Sequence, residues 1–276
     1  MPTQDVTTAP LLDLFALECV EADHYLGQSL DLGFRNLFGG HILGQSLRAA
    51  GMTCENRSAH SLHAYFIRAG DAREPIHYHV ERVRDGKSFS VRRVVASQGG
   101  QAILVLSSSF QIDEPGFEHQ ATMPEVPGPE KLEAVKEVLG RSIEMRPVDK
   151  LDLRNPPIRP PEQYVWFRAV GVVPDDKALH QSLLAYASDF GLLGACMRPH
   201  GVSYYQPGMV IASLDHAMWF YQDFRMDEWL LYATDSPSAS HSRGLGRGNI
   251  FRRDGTLVAC VAQEGLIRKT IPKDAT

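Results

Sequence analysis

One carboxylate, Asp189, stands alone in residues 181–197 (QSLLAYASDFGLLGACM), a stretch with no other charged side chain. A helix that is apolar nearly all round belongs inside a protein. There an ionised acid without its partner costs of order 3–5 kcal/mol. Three arrangements relieve that cost: a hydrogen-bonded structural role, protonation, or a position beside a cavity that admits water and substrate. The last makes Asp189 a candidate general base, because desolvation lifts a carboxylate towards the pKa range useful for proton abstraction. Other reactive residue types form weaker patterns. His60, in HSLHAYF, could act as an acid or base near neutrality. His77 and His79 share a strand face and could bind a metal only with a third ligand, which the sequence does not offer; solvated strand histidines are the expectation, and no metal or other cofactor is expected. Ser203, Ser213 and Ser240 lie outside any GxSxG motif, so a serine-nucleophile elbow is not supported.

Composition narrows the class of partner. The 276 residues are 43% hydrophobic and 22% charged, enough for one large or two medium domains with real cores. A formal net charge of −5 and the lack of any run of five like charges argue against nucleic acid. Cys19, Cys54, Cys196 and Cys260 are scattered, which argues for a reducing compartment and against structural zinc. The N-terminal MPTQDVTTAP lacks the regions of a signal peptide, no apolar run approaches the roughly 20 residues of a membrane span, and the C-terminus is not an SKL-type address. A cytoplasmic location is the expectation.

The elements that must position these residues occur twice. Residues 39–51 (GGHILGQSLRAAG) read as a glycine-started helix, followed by strand-like runs at 60–68, 75–84, 87–98 and 101–111. Asp85-Gly86 and Gly99-Gly100 supply the turns between them. The order recurs with the Asp189 helix and runs at 210–221, 229–235, 242–252 and 256–268, Asp254-Gly255 turning between the last two. Laying Gly100 on Gly255 gives a duplication at an offset of about 155 residues. The division expected is an N-terminal unit at 1–112, a proline-rich linker at 113–175 with a short helix at 130–139 and a strand near 164–169, and a C-terminal unit at 176–276. A nearly uncharged helix followed by four strands points to a curved antiparallel sheet wrapped round a central helix, an α+β double hotdog.

The chain resembles the acyl-CoA thioesterase II (TesB-like) family of double-hotdog enzymes. The matching segments include FRNLFGGHILGQSL (34–47), HSLHAYFIRAGD (60–71), VERVRDGKSFSVRRV (80–94), HQSLLAYASD (180–189), IASLDHAMWF (211–220), SASHSRG (238–244) and DGTLVACVAQEG (254–265). The resemblance implies hydrolysis of acyl-CoA thioesters by a water held between an Asp on the second-half helix, a hydroxyl on the next strand and a Gln on the last strand. These fall on Asp189, Ser213 and Gln263, with serine where the family usually has threonine. Serine keeps the donor and acceptor and loses the methyl that stiffens the rotamer. Strict alternation would also put Asp215 on the Ser213 face unless a bulge intervenes, and Glu264 opposite Gln263.

Substrate contacts are expected from Gly39 and Gly40, whose helix start could supply oxyanion donors, from His60, and from basic groups facing the CoA phosphates, Arg68 and Arg93 foremost among Arg84, Lys87, Arg92, Arg243 and Arg247. The small and apolar residues of both helices could line an acyl tunnel. Two other readings stay open: a hotdog enoyl-CoA hydratase, and a non-catalytic acyl-CoA-binding protein. Association into a homodimer or homotetramer is implied by the resemblance.

Overall fold

The computed structural model describes residues 9–34, 36–135, 142–150 and 152–270. A short helix α1 (Ala9–Asp13) and a hairpin of β1 (Glu18–Glu21) and β2 (His24–Gly27) precede helix α2 (Gly39–Gly51). Four strands follow: β3 (Ser58–Phe66), β4 (Ile76–Asp85), β5 (Phe89–Gln98) and β6 (Gln101–Gln111). Strands β7 (Ile143–Pro147) and β8 (Glu162–Ala169) lead to α3 (Lys177–Ser188) and the single turn α4 (Gly194–Met197). The chain then runs through β9 (Met209–Ser213), β10 (Asp215–Phe220), β11 (Leu230–Ser240), β12 (Arg243–Arg252) and β13 (Leu257–Lys269).

All strand pairs are antiparallel, and they make one sheet in the order β1-β2-β4-β5-β6-β3-β10-β13-β12-β11-β8-β7, with β9 added against β13. Read outwards from the β3–β10 seam, the two sides match: 3-6-5-4-2-1 on one and 10-13-12-11-8-7 on the other. A pseudo-twofold axis therefore relates the halves. This is the expected double hotdog, its two sheets joined edge to edge. The turns follow from residue type. Gly99 and Gly100, at φ of 52° and 73°, close a two-residue hairpin, and Gly255 at φ 90° turns between β12 and β13.

Helices α2 and α3 cross in contact at the centre, antiparallel, with α2 also against β3, β4, β5 and β6. Glycine permits the crossing: a Cβ on Gly40 would sit 2.3 Å from the Tyr186 carbonyl oxygen, and one on Gly44 2.7 Å from that of Ser182. Two of the small residues expected to line an acyl tunnel, Gly40 and Gly44, are thus used in helix packing.

Three expected elements need correction. The helix expected over 181–197 stops at Ser188: Asp189 is its C-cap, and Gly191, at φ 73°, turns the chain before α4. Leu192 and Leu193 fold down onto the second-half sheet, into room left by Gly246 and Gly265. The strand expected over 210–221 breaks at Leu214 into β9 and β10. The helix expected over 130–139 is a 3-10 turn at Pro129–Lys131 followed by irregular chain to 135, with 136–139 outside the described residues. Within 113–175, the strand expected near 164–169 is β8, which with β7 extends the edge of the second-half sheet.

Arg92 is no candidate for CoA phosphates. Only 1% exposed, its guanidinium donates to the Thr53 hydroxyl and carbonyl just past the end of α2, to the Arg84 carbonyl and to Asp85. A cation there meets the negative end of the helix.

His41, on the buried face of α2, donates from Nε2 to the Gln28 carbonyl at 3.0 Å. Burial pushes its pKa down to about 4, the hydrogen bonds opposing. Below its ordinary value of 6.5 the unfolded chain binds the proton more readily, so stability falls as pH drops and levels off below the folded value. Spread over that window the loss is about 3 kcal/mol. Urea unfolding at pH values near the two ends is expected to show it. His41→Gln, which keeps a donor near Nε2, should flatten the dependence by that amount; an unchanged slope would sink the assignment.

Candidate active site

Asp189 lies where the C-terminus of α3 meets the N-terminus of α2, half-buried. A carboxylate at a helix C-terminus is disfavoured by the dipole. The start of α2 compensates: Phe38 offers no side-chain cap, and the Gly40 N–H donates to Asp189 Oδ2 at 2.8 Å. Gly40 therefore holds the carboxylate, and its N–H is not available to an oxyanion. Gly39 is equally close, since a Cβ there would be 2.8 Å from Asp189 Oδ2 and 2.9 Å from the Phe66 ring.

The other carboxylate oxygen, Oδ1, accepts from the Ser213 hydroxyl at 3.3 Å. Ser213 Oγ accepts from Gln263 Nε2 at 2.8 Å. The three residues come from the end of α3, the end of β9 and the middle of β13, and one hydrogen-bonded run joins them. Gln263 is 1% exposed, an inward position on β13. Phe38, Tyr186 and Phe190 form an aromatic wall nearby, with Phe38 stacked on Phe190 at 4.3 Å and edge-on to Tyr186 at 5.4 Å.

The break at Leu214 decides between Asp215 and its neighbour. Ser213 pairs with Gly265 but Ala217 pairs with Ala262, a shift of one residue that makes a bulge. The inward face passes from Met209, Ile211 and Ser213 to His216, Met218 and Phe220. Asp215 is turned away, and its carboxylate accepts from the Glu264 N–H at 2.7 Å. Glu264 pairs with Arg243 on the face opposite Gln263. The residue that sequence reasoning missed is His216. It is 1% exposed, with Nδ1 2.5 Å from Gln263 Oε1 and Nε2 3.0 Å from Ser188 Oγ. Burial lowers its pKa, and the Asp189 charge opposes that shift. The signal was present in the SLDH segment; recovering it required the bulge.

The remaining expected substrate contacts lie elsewhere. His60 is within 2.7 Å of Ser109 Oγ, edge-on to Phe89, with a pKa lowered by burial. It lines a separate cavity of about 170 Å³ with Ala59, Gln111, Lys177, Gln181 and Phe220, which Asp189, Ser213 and Gln263 do not border. Arg68 is exposed and donates to the Ala102 carbonyl, two residues beyond the Phe66 ring that touches the Gly39 position. Arg93 is exposed and 3.5 Å from Glu81. Arg243 and Arg247 are engaged by Glu264 and Asp235. His79 stacks on His24 at 4.0 Å, and His77 Nδ1 is 3.1 Å from His24 Nε2. Among the described residues no group of three or more His, Cys, Asp or Glu is arranged to hold a metal, and no helix is long and apolar enough to cross a membrane.

Comparison with known proteins gives this geometry its family. Residues 156–266 match the acyl-CoA thioesterase family model, and residues 30–111 match that of the acyl-CoA thioesterase N-terminal domain. Acyl-CoA thioesterase 2 of Haemophilus influenzae is 41% identical over 94% of this chain and 96% of its own. Human acyl-coenzyme A thioesterase 8 is 38% identical over 97% of this chain and 91% of its own. The crystal structure of acyl-CoA thioesterase II TesB2 from Mycobacterium marinum superposes with a TM-score of 0.82 at 42% identity, covering 95% of this chain and 98% of that one. A hot dog fold protein from Alicyclobacillus acidocaldarius, 20% identical with a TM-score of 0.79 over 94% and 98% of the two chains, supports the fold alone. With both halves matched and the relatives covered nearly end to end, the chain belongs to the acyl-CoA thioesterase family of thioester hydrolases.

Proposed function

We propose that the chain hydrolyses acyl-CoA thioesters to the free acid and CoA with a water held by Asp189, Ser213 and Gln263. The observation that carries the reading is the run Gly40–Asp189–Ser213–Gln263, in which every link is a hydrogen bond and the carboxylate is only half-buried. Asp189 takes a proton from the water as its oxygen attacks the thioester carbonyl. Negative charge collects on the carbonyl oxygen, where the Gly39 N–H at the start of α2 is the donor we assign, its neighbour being engaged. Collapse breaks the C–S bond, and the proton on Asp189 passes to the departing thiolate. A thiol of pKa about 8.5 is a fair leaving group, so no acyl-enzyme is needed.

A hydratase would need a histidine able to reach the substrate, whereas both ring nitrogens of His216 are engaged inside the protein. We assign a cytoplasmic location and a homodimer or homotetramer; the four cysteines are free thiols, in keeping with a reducing compartment. Release of free thiol from a panel of short- to long-chain acyl-CoAs is the test. Turnover is expected with at least part of the panel. Hydration of crotonyl-CoA without thiol release would make the protein a hydratase, and tight binding with no turnover a sensor.

A further inference from the structure

Resting on the site just described, we propose that His216 is a positioning residue for hydrolysis: by donating from Nδ1 to Gln263 Oε1, it fixes which way the Gln263 amide faces and so which donor Ser213 meets. Hydrogen-bond direction carries the inference. An ionised carboxylate only accepts, so Ser213, 3.3 Å from Asp189 Oδ1, donates to it. Its oxygen is then left to accept from Gln263 Nε2. The amide therefore turns Oε1 towards His216, which must present Nδ1–H. The other ring nitrogen lies 3.0 Å from Ser188 Oγ, whose single proton has two acceptors in reach, the Ala185 carbonyl at 2.9 Å and this nitrogen; with Nδ1 protonated, that proton goes to the ring. With the opposite tautomer the amide would rotate, Ser213 would donate to Gln263, and Asp189 would lose a partner.

The pseudo-symmetry makes an independent case. In the first half, β3 carries the same one-residue shift between Ala59 and Ser61. Ala59 occupies the place of Ser213, each just before the shift. Leu62, paired with Ser108, occupies the place of His216, which sits opposite Gln263 one step before the Ala217–Ala262 pair. Leu62 is 0% exposed. An apolar side chain thus satisfies this core position, and the fold itself does not call for an imidazole. Around that mate the cavity bounded by Ala59, Lys177 and Phe220 contains no Asp–Ser–Gln run; Phe220 stands there where Phe66 stands beside Asp189. At this strand position the histidine accompanies the Asp189–Ser213–Gln263 run, and its mate, away from that run, is leucine.

The test compares thiol release by wild type, His216→Leu and His216→Asn, alongside Asp189→Asn. Leucine is the residue of the mate position, and asparagine keeps an N–H near Nδ1. We expect His216→Leu to lower kcat about ten- to a hundredfold with KM within about twofold, and His216→Asn to recover most of the rate. Wild-type kcat in His216→Leu overturns the proposal. Should that variant fold poorly, ¹⁵N NMR of labelled wild type reads the tautomer directly: neutral Nδ1–H from about pH 6 to 8 supports it, and Nε2–H or imidazolium overturns it. An active Asp189→Asn would sink the underlying site, whereas an inactive Asp189→Asn with a fully active His216→Leu would sink the role of His216 alone.

Discussion

Asp189→Asn is expected to lower kcat for thiol release by at least a hundredfold, within the ~10²–10⁴ range for a general base, while KM and the unfolding midpoint stay near wild type. Asparagine keeps the shape and can still accept from the Gly40 N–H, so the junction of α2 and α3 survives. What changes is polarity at the other end. The amide nitrogen would donate to Ser213 Oγ, which already accepts from Gln263. The serine hydroxyl would then have no carboxylate to donate to, and the water no base. Measuring kcat and KM on one acyl-CoA, with a urea melt of each protein, separates lost chemistry from lost folding. Full activity in the variant would return Asp189 to capping α2.

How much of this was legible differs from level to level. The repeats, their strands and the turns at Gly99-Gly100 and Asp254-Gly255 follow from periodicity and glycine placement, because a strand's two faces and a hairpin's φ values are local properties. Asp189 was conspicuous as a lone charge among apolar residues. Its place at a helix end was not, since Gly191 can turn a chain or sit within a helix, and what decides is the room at Gly246 and Gly265 for Leu192 and Leu193. His216 was hidden by the bulge at Leu214. One inserted residue exchanges the faces of everything after it, and alternation continued from Ser213 brought Asp215 inward in its place. Arg92 read as a surface cation because charge alone does not reveal a partner 39 residues away at Thr53.

Gly40→Ala and Gly44→Ala are each expected to destabilise the fold by about 1–3 kcal/mol, the range for forcing an extra methyl into a packed interior, whereas Gly51→Ala on the same helix should be neutral or stabilise by up to about 1 kcal/mol. Intrinsic propensity would favour alanine at all three. Contact distances separate them. A Cβ on Gly40 or Gly44 would meet a backbone carbonyl of α3, at 2.3 Å and 2.7 Å, and a backbone atom can retreat only if the whole helix moves. The nearest atom to a Cβ on Gly51 is a Phe110 ring carbon at 3.8 Å, ordinary contact. Activity should part company with stability between the two damaging changes. Moving α3 away at Gly40 acts on Tyr186, three residues before Asp189, and lengthens the bond from the Gly40 N–H, so kcat should fall by more than the unfolding midpoint implies. At Gly44 the strain falls at Ser182, two helical turns from the carboxylate, and activity at low temperature should remain near wild type. Urea unfolding of the three variants, paired with thiol-release kinetics on the same preparations, checks both halves of the prediction; equal stability of all three would mean that α2 and α3 are not in the close contact from which the site is built.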